Sequence, residues 1–148
     1  MEERVSHYYR QLLNTYLKIL GGINVFSVLV SFLVWQYINQ AHHTIITGFH
    51  IVLTLYVIAN YILTQVSFKG RLNDLSKVRD LSIRMEEYRE ASGIRWMLWL
   101  VVAFLAWVSM LISGDFSFLI YVALSIFLFL VWCPTKERAR RHIGIRQF

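Results

Sequence analysis

The chain has 148 residues, 57% of them hydrophobic and only 16% charged, with 15 Lys and Arg against nine Asp and Glu. A soluble domain of this length carries about 25% charged residues and cannot hide so much apolar surface. The net charge of +6 does not point to nucleic acid, because the cations flank apolar stretches and no basic stripe with stacking aromatics stands clear of them.

Taken in chain order, residues 4–18 place Val5, Tyr8, Tyr9, Leu12, Leu13, Tyr16 and Leu17 at helical spacing, which predicts an amphipathic cytoplasmic helix. Residues 19–68 contain no Asp, Glu, Lys or Arg. About 20 apolar residues cross the hydrocarbon core, so this stretch predicts two spans, 19–38 and 45–66, joined by the polar turn Asn39-Gln40-Ala41-His42-His43. Residues 71–93 follow, with Leu72, Leu75, Val78, Leu81, Met85 and Tyr88 on one face, and predict one cytoplasmic helix. It either lies in the membrane interface or continues the third span into a cytoplasmic bundle. Asp74, Asp80, Glu86, Glu87 and Glu90 on its polar face favour the bundle, since a lipid-binding helix would be more uniformly basic.

Residues 96–135 contain a single charge, Asp115, and predict a third span at 96–112 and a fourth at 116–133. Between them, Gly114 suits a left-handed helix C-terminus and Asp115 can cap the next helix. A basic tail, 134–148, ends the chain. The fold expected is an all-α membrane protein, a four-transmembrane-helix bundle of two antiparallel hairpins with cytoplasmic amphipathic extensions. Lys and Arg gather on the cytoplasmic side of a membrane, and both outer turns lack them. Both termini are therefore expected in the cytoplasm, in a multi-pass protein of the cell's inner membrane. Trp35 and Tyr37 fit the outer interface, and Trp96, Trp99 and Trp132 the inner one. Glu2 and Glu3 and the missing cleavage site are unlike a signal peptide.

The polar residues inside the spans form one candidate site: Asn24 and Ser31 in the first, with His50, Thr54 and Asn60 in the second. They read either as interhelical glue, helped by Gly21 and Gly22, or as the lining of a polar route. His50 is the one titratable histidine expected inside the bilayer, which makes it a functional candidate. His42, His43 and His50 make a poor metal site, because adjacent loop histidines point apart and no carboxylate joins them. The sequence has no metalloprotease, phosphate-loop or nucleophile-elbow motif and no intramembrane carboxylate pair. Cys133 is the only cysteine and is expected to be a packed thiol. No catalytic residue, cofactor or metal site is expected.

Tyr88-Arg89-x-Ala91-x-x-Ile94-Arg95-Trp96-Met97-Leu98, with Gly114, Phe118-Leu119 and Pro134-Thr135-Lys136-Glu137-Arg138, resembles a family of small four-span membrane proteins from Bacteroidota-type bacteria. The resemblance covers the second half by motif and the first half by layout, and it implies a fold without an activity. Relatives often carry a Glu-Gly pair where this chain has Leu100-Val101, so a role depending on that acid does not transfer. The function expected is non-enzymatic. The chain would act in the lipid bilayer by self-association or as an accessory subunit beside another membrane protein. The alternatives are a small oligomeric transporter or channel lined by the polar stripe, and an immunity or exclusion protein against a pore-former.

Overall fold

The computed structural model describes residues 2–37, 43–75 and 77–143. These fold into helices α1 (Glu2–Tyr37), α2 (His43–Leu75) and α3 (Leu81–Ser113), a 3-10 turn (Phe116–Phe118), α4 (Leu119–Val131) and α5 (Lys136–Ile143). Three of them, α1, α2 and α3, are long and apolar enough to cross a membrane; a fourth crossing is reached if α4 and α5, bent by 71°, are taken together.

The long helices are continuous through their charged and apolar parts. With 36 residues, α1 is about 54 Å long against a hydrocarbon core of about 30 Å. The amphipathic start and the apolar stretch are thus one rod, and residues 81–93 likewise run straight into α3. Of the two expectations for that segment, continuation of the third apolar stretch is the one the fold takes.

The single helix expected over 71–93 is instead divided. Leu75 closes α2, and Asp80 starts α3 by accepting hydrogen bonds from the Ser82 amide and hydroxyl, both at 2.8 Å. A carboxylate two residues before a free amide satisfies one of the orphan donors of a helix start. The apolar period of Leu72, Leu75, Val78 and Leu81 continues across this break, so periodicity alone does not mark it.

The turn after α3 forms as its residues dictate. Gly114 adopts φ 70°, its amide donating to the Met110 carbonyl, and Asp115 accepts from the Ser117 amide at 2.7 Å. The first polar turn, expected at 39–43, lies up to residue 42 outside the described residues.

All packing centres on α3: α1, α2, α4 and α5 each lie against it. On α1 the buried side chains are Tyr8, Leu12, Tyr16, Ile23, Val30 and Val34, spaced by four and seven. On α2 they are Ile46, Leu53, Asn60, Thr64, Phe68 and Leu75, with the same spacing. Such narrow stripes belong to helices that face one neighbour. By contrast, the buried side chains of α3, from Tyr88 to Ser113, cover a broader arc of about 160°. Trp96 and Trp99, only 2% and 1% exposed, belong to this core rather than to an interfacial belt. Trp96 meets Tyr16 with ring centroids 5.4 Å apart, and Trp99 meets Trp132 at 5.9 Å. Trp35 does face outward.

The end of α4 accounts for each of its last four carbonyls, the groups a helix terminus leaves unpaired. Leu128 accepts from the Trp132 amide, Leu130 from the Cys133 amide, Phe129 from the Tyr16 hydroxyl and Val131 from the Arg138 guanidinium. Pro134, which has no amide hydrogen to offer, stops the helix there.

The basic tail expected at 134–148 is, over Lys136–Ile143, the helix α5 docked on α3. The Arg84 guanidinium donates to the Ile143 carbonyl at 2.9 Å, and His142 stacks on Tyr88 with centroids 5.8 Å apart.

Candidate functional site

Two of the five stripe residues meet, and they meet around a residue the sequence reading did not single out. His50 and Thr54, one turn apart on α2, both bond the hydroxyl of Tyr121 on α4: His50 Nδ1 at 3.0 Å and Thr54 Oγ1 at 2.8 Å. His50 Nε2 lies 2.8 Å from Ser117 Oγ, and the imidazole stacks on Phe118 with centroids 4.2 Å apart and planes within 6°. One proton assignment satisfies every group. The Tyr121 hydroxyl donates to the His50 carbonyl at 3.2 Å, accepts from Thr54 and from Nδ1–H, and Ser117 donates to Nε2.

A serine and a histidine in contact are two parts of an acyl-transfer site. The third part, an acid that orients Nδ1 and stabilises imidazolium, is here a phenol already shared with Thr54 and a carbonyl. The cluster therefore forms a clasp between α2 and the start of α4, with both ring nitrogens of His50 bonded.

The other stripe residues lie apart from it. Asn60 is buried and donates across to the Leu98 carbonyl of α3 at 3.2 Å. Asn24 is exposed and bonds its own helix at the Leu20 carbonyl. Ser31 is half-buried on α1. The glue expected between the first two apolar helices thus joins α2 to α3 and α4 instead, because α3 stands between α1 and α2. A Cβ built on Gly21 or Gly22 would meet nothing within 4 Å, so no helix approaches there. The polar bond that α1 makes in this region runs to α3, where the Trp107 indole donates to Ser27 Oγ at 3.1 Å.

His42 lies outside the described residues, and no group of three metal-ligating side chains occurs among those described. Cys133 is a free thiol, partly buried.

A second feature is a gap. At 100° per residue, the α3 side chains that meet α1 (Trp96, Trp107) span about 20° of its circumference. Those that meet α2 through Asn60 and Phe68 (Leu98, Arg95) lie about 160–100° away on the far side. Trp99, facing Trp132, closes the arc between these two groups. The opposite arc carries Gly93, Ile94, Met97, Val101 and Phe104, and no helix among the described residues covers it. Its first turns form an open groove lined by Gly93, Ile94, Met97 and Val101, with Glu90 at one end; Met97 is 57% exposed, and Phe104, beyond the groove, 54%.

The chain matches no protein-family model, no curated protein and no solved structure.

Proposed function

We propose that the chain is a non-enzymatic, multi-pass inner-membrane protein that works by lateral association, with copies of itself or as an accessory subunit of a larger membrane complex. In this reading 19–38, 45–66, 96–112 and 116–133 are the crossings. The cation-bearing ends of α1, α2 and α3, with α5, face the cytoplasm. The resemblance to small four-span proteins of Bacteroidota-type bacteria agrees with that layout.

The observation that carries the proposal is the uncovered arc of α3 between α1 and α2. The helix that every other element uses as its packing surface has one side left open along the first turns of its apolar stretch, and a further helix laid there would complete its ring. The polar stripe gives a route through the bundle no support, since His50, Thr54 and Asn60 are bonded into packing seams and Asn24 is on the periphery.

Photo-crosslinking in native membranes tests this. A crosslinker at Met97 should yield a discrete protein adduct, while one at Val52, on the outward face of α2, should not. Lipid labelling alone from both positions would remove the proposal.

A further inference from the structure

Where α2 and α3 reach the cytoplasmic end of their apolar stretches, the seam between them holds a cation without an anion. Arg95 immediately precedes the apolar run of α3 and points between two rings, its guanidinium carbon 3.6 Å from the Phe68 centroid and 4.4 Å from that of Trp132. Its Nε is buried with no hydrogen-bond partner. Among the described residues the ion pairs are Lys77–Asp74 and Arg89–Glu86, neither of which reaches it. A cation held largely out of water is costly unless it is paired, and no carboxylate among the described residues pairs with it.

The same seam contains a second orphan. Thr64 is 2% exposed and its hydroxyl has no partner. Helical Ser and Thr side chains commonly return to the carbonyl four residues back. Thr15, Ser27, Ser113 and Ser125 all do so here. Thr64 does not. It lines a narrow cleft with Ser67, Arg71, Ile94, Arg95 and Leu98, a set that includes two arginines and two hydroxyl residues and no acid.

We infer that this cleft is a phosphate site for the headgroup of an anionic phospholipid. The depth fits: Arg71 lies just past the charge-free stretch of α2 and Arg95 just before that of α3, where headgroup phosphates sit. Guanidinium groups match phosphate oxygens in geometry as well as charge, and the cytoplasmic leaflet is where anionic lipids concentrate. The cleft has room for about one water molecule, so the phosphate seats at its mouth. One oxygen turns inward to Thr64 and Arg95, and exposed Arg71 closes over the others. The site needs the α2–α3 seam at headgroup level and is independent of any protein partner.

The test uses the full-length protein in a neutral detergent, with thermal unfolding read after adding phosphatidylglycerol, phosphatidylcholine or inorganic phosphate, and native mass spectrometry to count retained lipid. Phosphatidylglycerol should raise the midpoint by several degrees more than phosphatidylcholine. Arg71→Gln and Thr64→Val should each remove most of that difference while leaving the rings around Arg95 in place. Inorganic phosphate alone giving the full shift would keep the phosphate site and overturn the lipid as its source. Equal shifts from both lipids, or a difference unchanged in both variants, would overturn the site itself.

Discussion

The hydroxyl of Tyr16 donates to the carbonyl of Phe129 at 2.8 Å, tying the N-terminal half of α1 to the last turn of α4. That bond fills the one terminal carbonyl of α4 that neither a downstream amide nor Arg138 reaches. Tyr16→Phe keeps the ring against Trp96 and orphans the carbonyl. It should cost about 1 kcal/mol, read as a lower midpoint in denaturant titration of the detergent-solubilised protein. A loss near zero would mean that water takes the place of the hydroxyl.

The clasp at Tyr121 makes a prediction of non-additivity. Tyr121→Phe and Thr54→Val both break the same 2.8 Å bond, so the double variant should be less destabilised than the sum of the singles. Interhelical hydrogen bonds in membrane proteins average about 0.6 kcal/mol, and the coupling should be of that order. His50→Phe should keep the stacking on Phe118 and lose only the polar part. Strict additivity of Tyr121→Phe and Thr54→Val would show that the two hydroxyls act separately.

The start of α3 should be acid-sensitive. The Ser82 hydroxyl and amide hold the Asp80 carboxyl below its usual value of 3.8. Because the folded value is the lower one, the cap contributes in full above the unfolded value and is lost as pH falls through the folded one. Hydrogen exchange at Leu81–Arg84 should therefore speed up in strong acid. Asp80→Asn keeps a capping oxygen but should lose this pH dependence.

Docking of α5 should respond at milder pH. Burial, then the nearby charges of Arg95, Arg138 and Arg141, push the His142 imidazole below its ordinary 6.5. A depressed histidine favours the docked state while neutral. That contribution is complete above 6.5 and falls away as pH drops toward the docked value. Exchange protection of Lys136–Ile143 should decline over that interval, and His142→Phe, which retains the ring against Tyr88 and Phe68, should abolish the decline.

The long apolar helices, the Gly114 turn and the Asp115 cap were all legible in the sequence, because each rests on local chemistry: missing charge, a left-handed backbone, a carboxylate before free amides. Lateral packing was not. In lipid, an apolar side chain facing protein and one facing acyl chains look alike, so nothing marked α3 as the centre or Trp96 and Trp99 as core. Tyr121 could have been noticed as the one phenol in the fourth apolar stretch. Its meeting with His50 joins residues 71 apart, and no spacing rule reaches that far. The docked tail was hidden by its own charge, since Lys136–Ile143 reads as solvated until Ala139 and Ile143 are seen to be buried.

The central place of α3 has a consequence for how the protein is made. A chain synthesised from its N-terminus delivers α1 and α2 to the membrane before α3 exists, and these two have little to hold each other. Until the third helix arrives, Asn60 lacks its carbonyl acceptor, and His50 and Thr54 wait longer still for Tyr121. The first two helices are thus guests without a host for part of their biogenesis. A ribosome stalled when α2 has emerged and α3 is still inside it should leave the two separable, open to whatever membrane chaperone shelters unpaired polar groups.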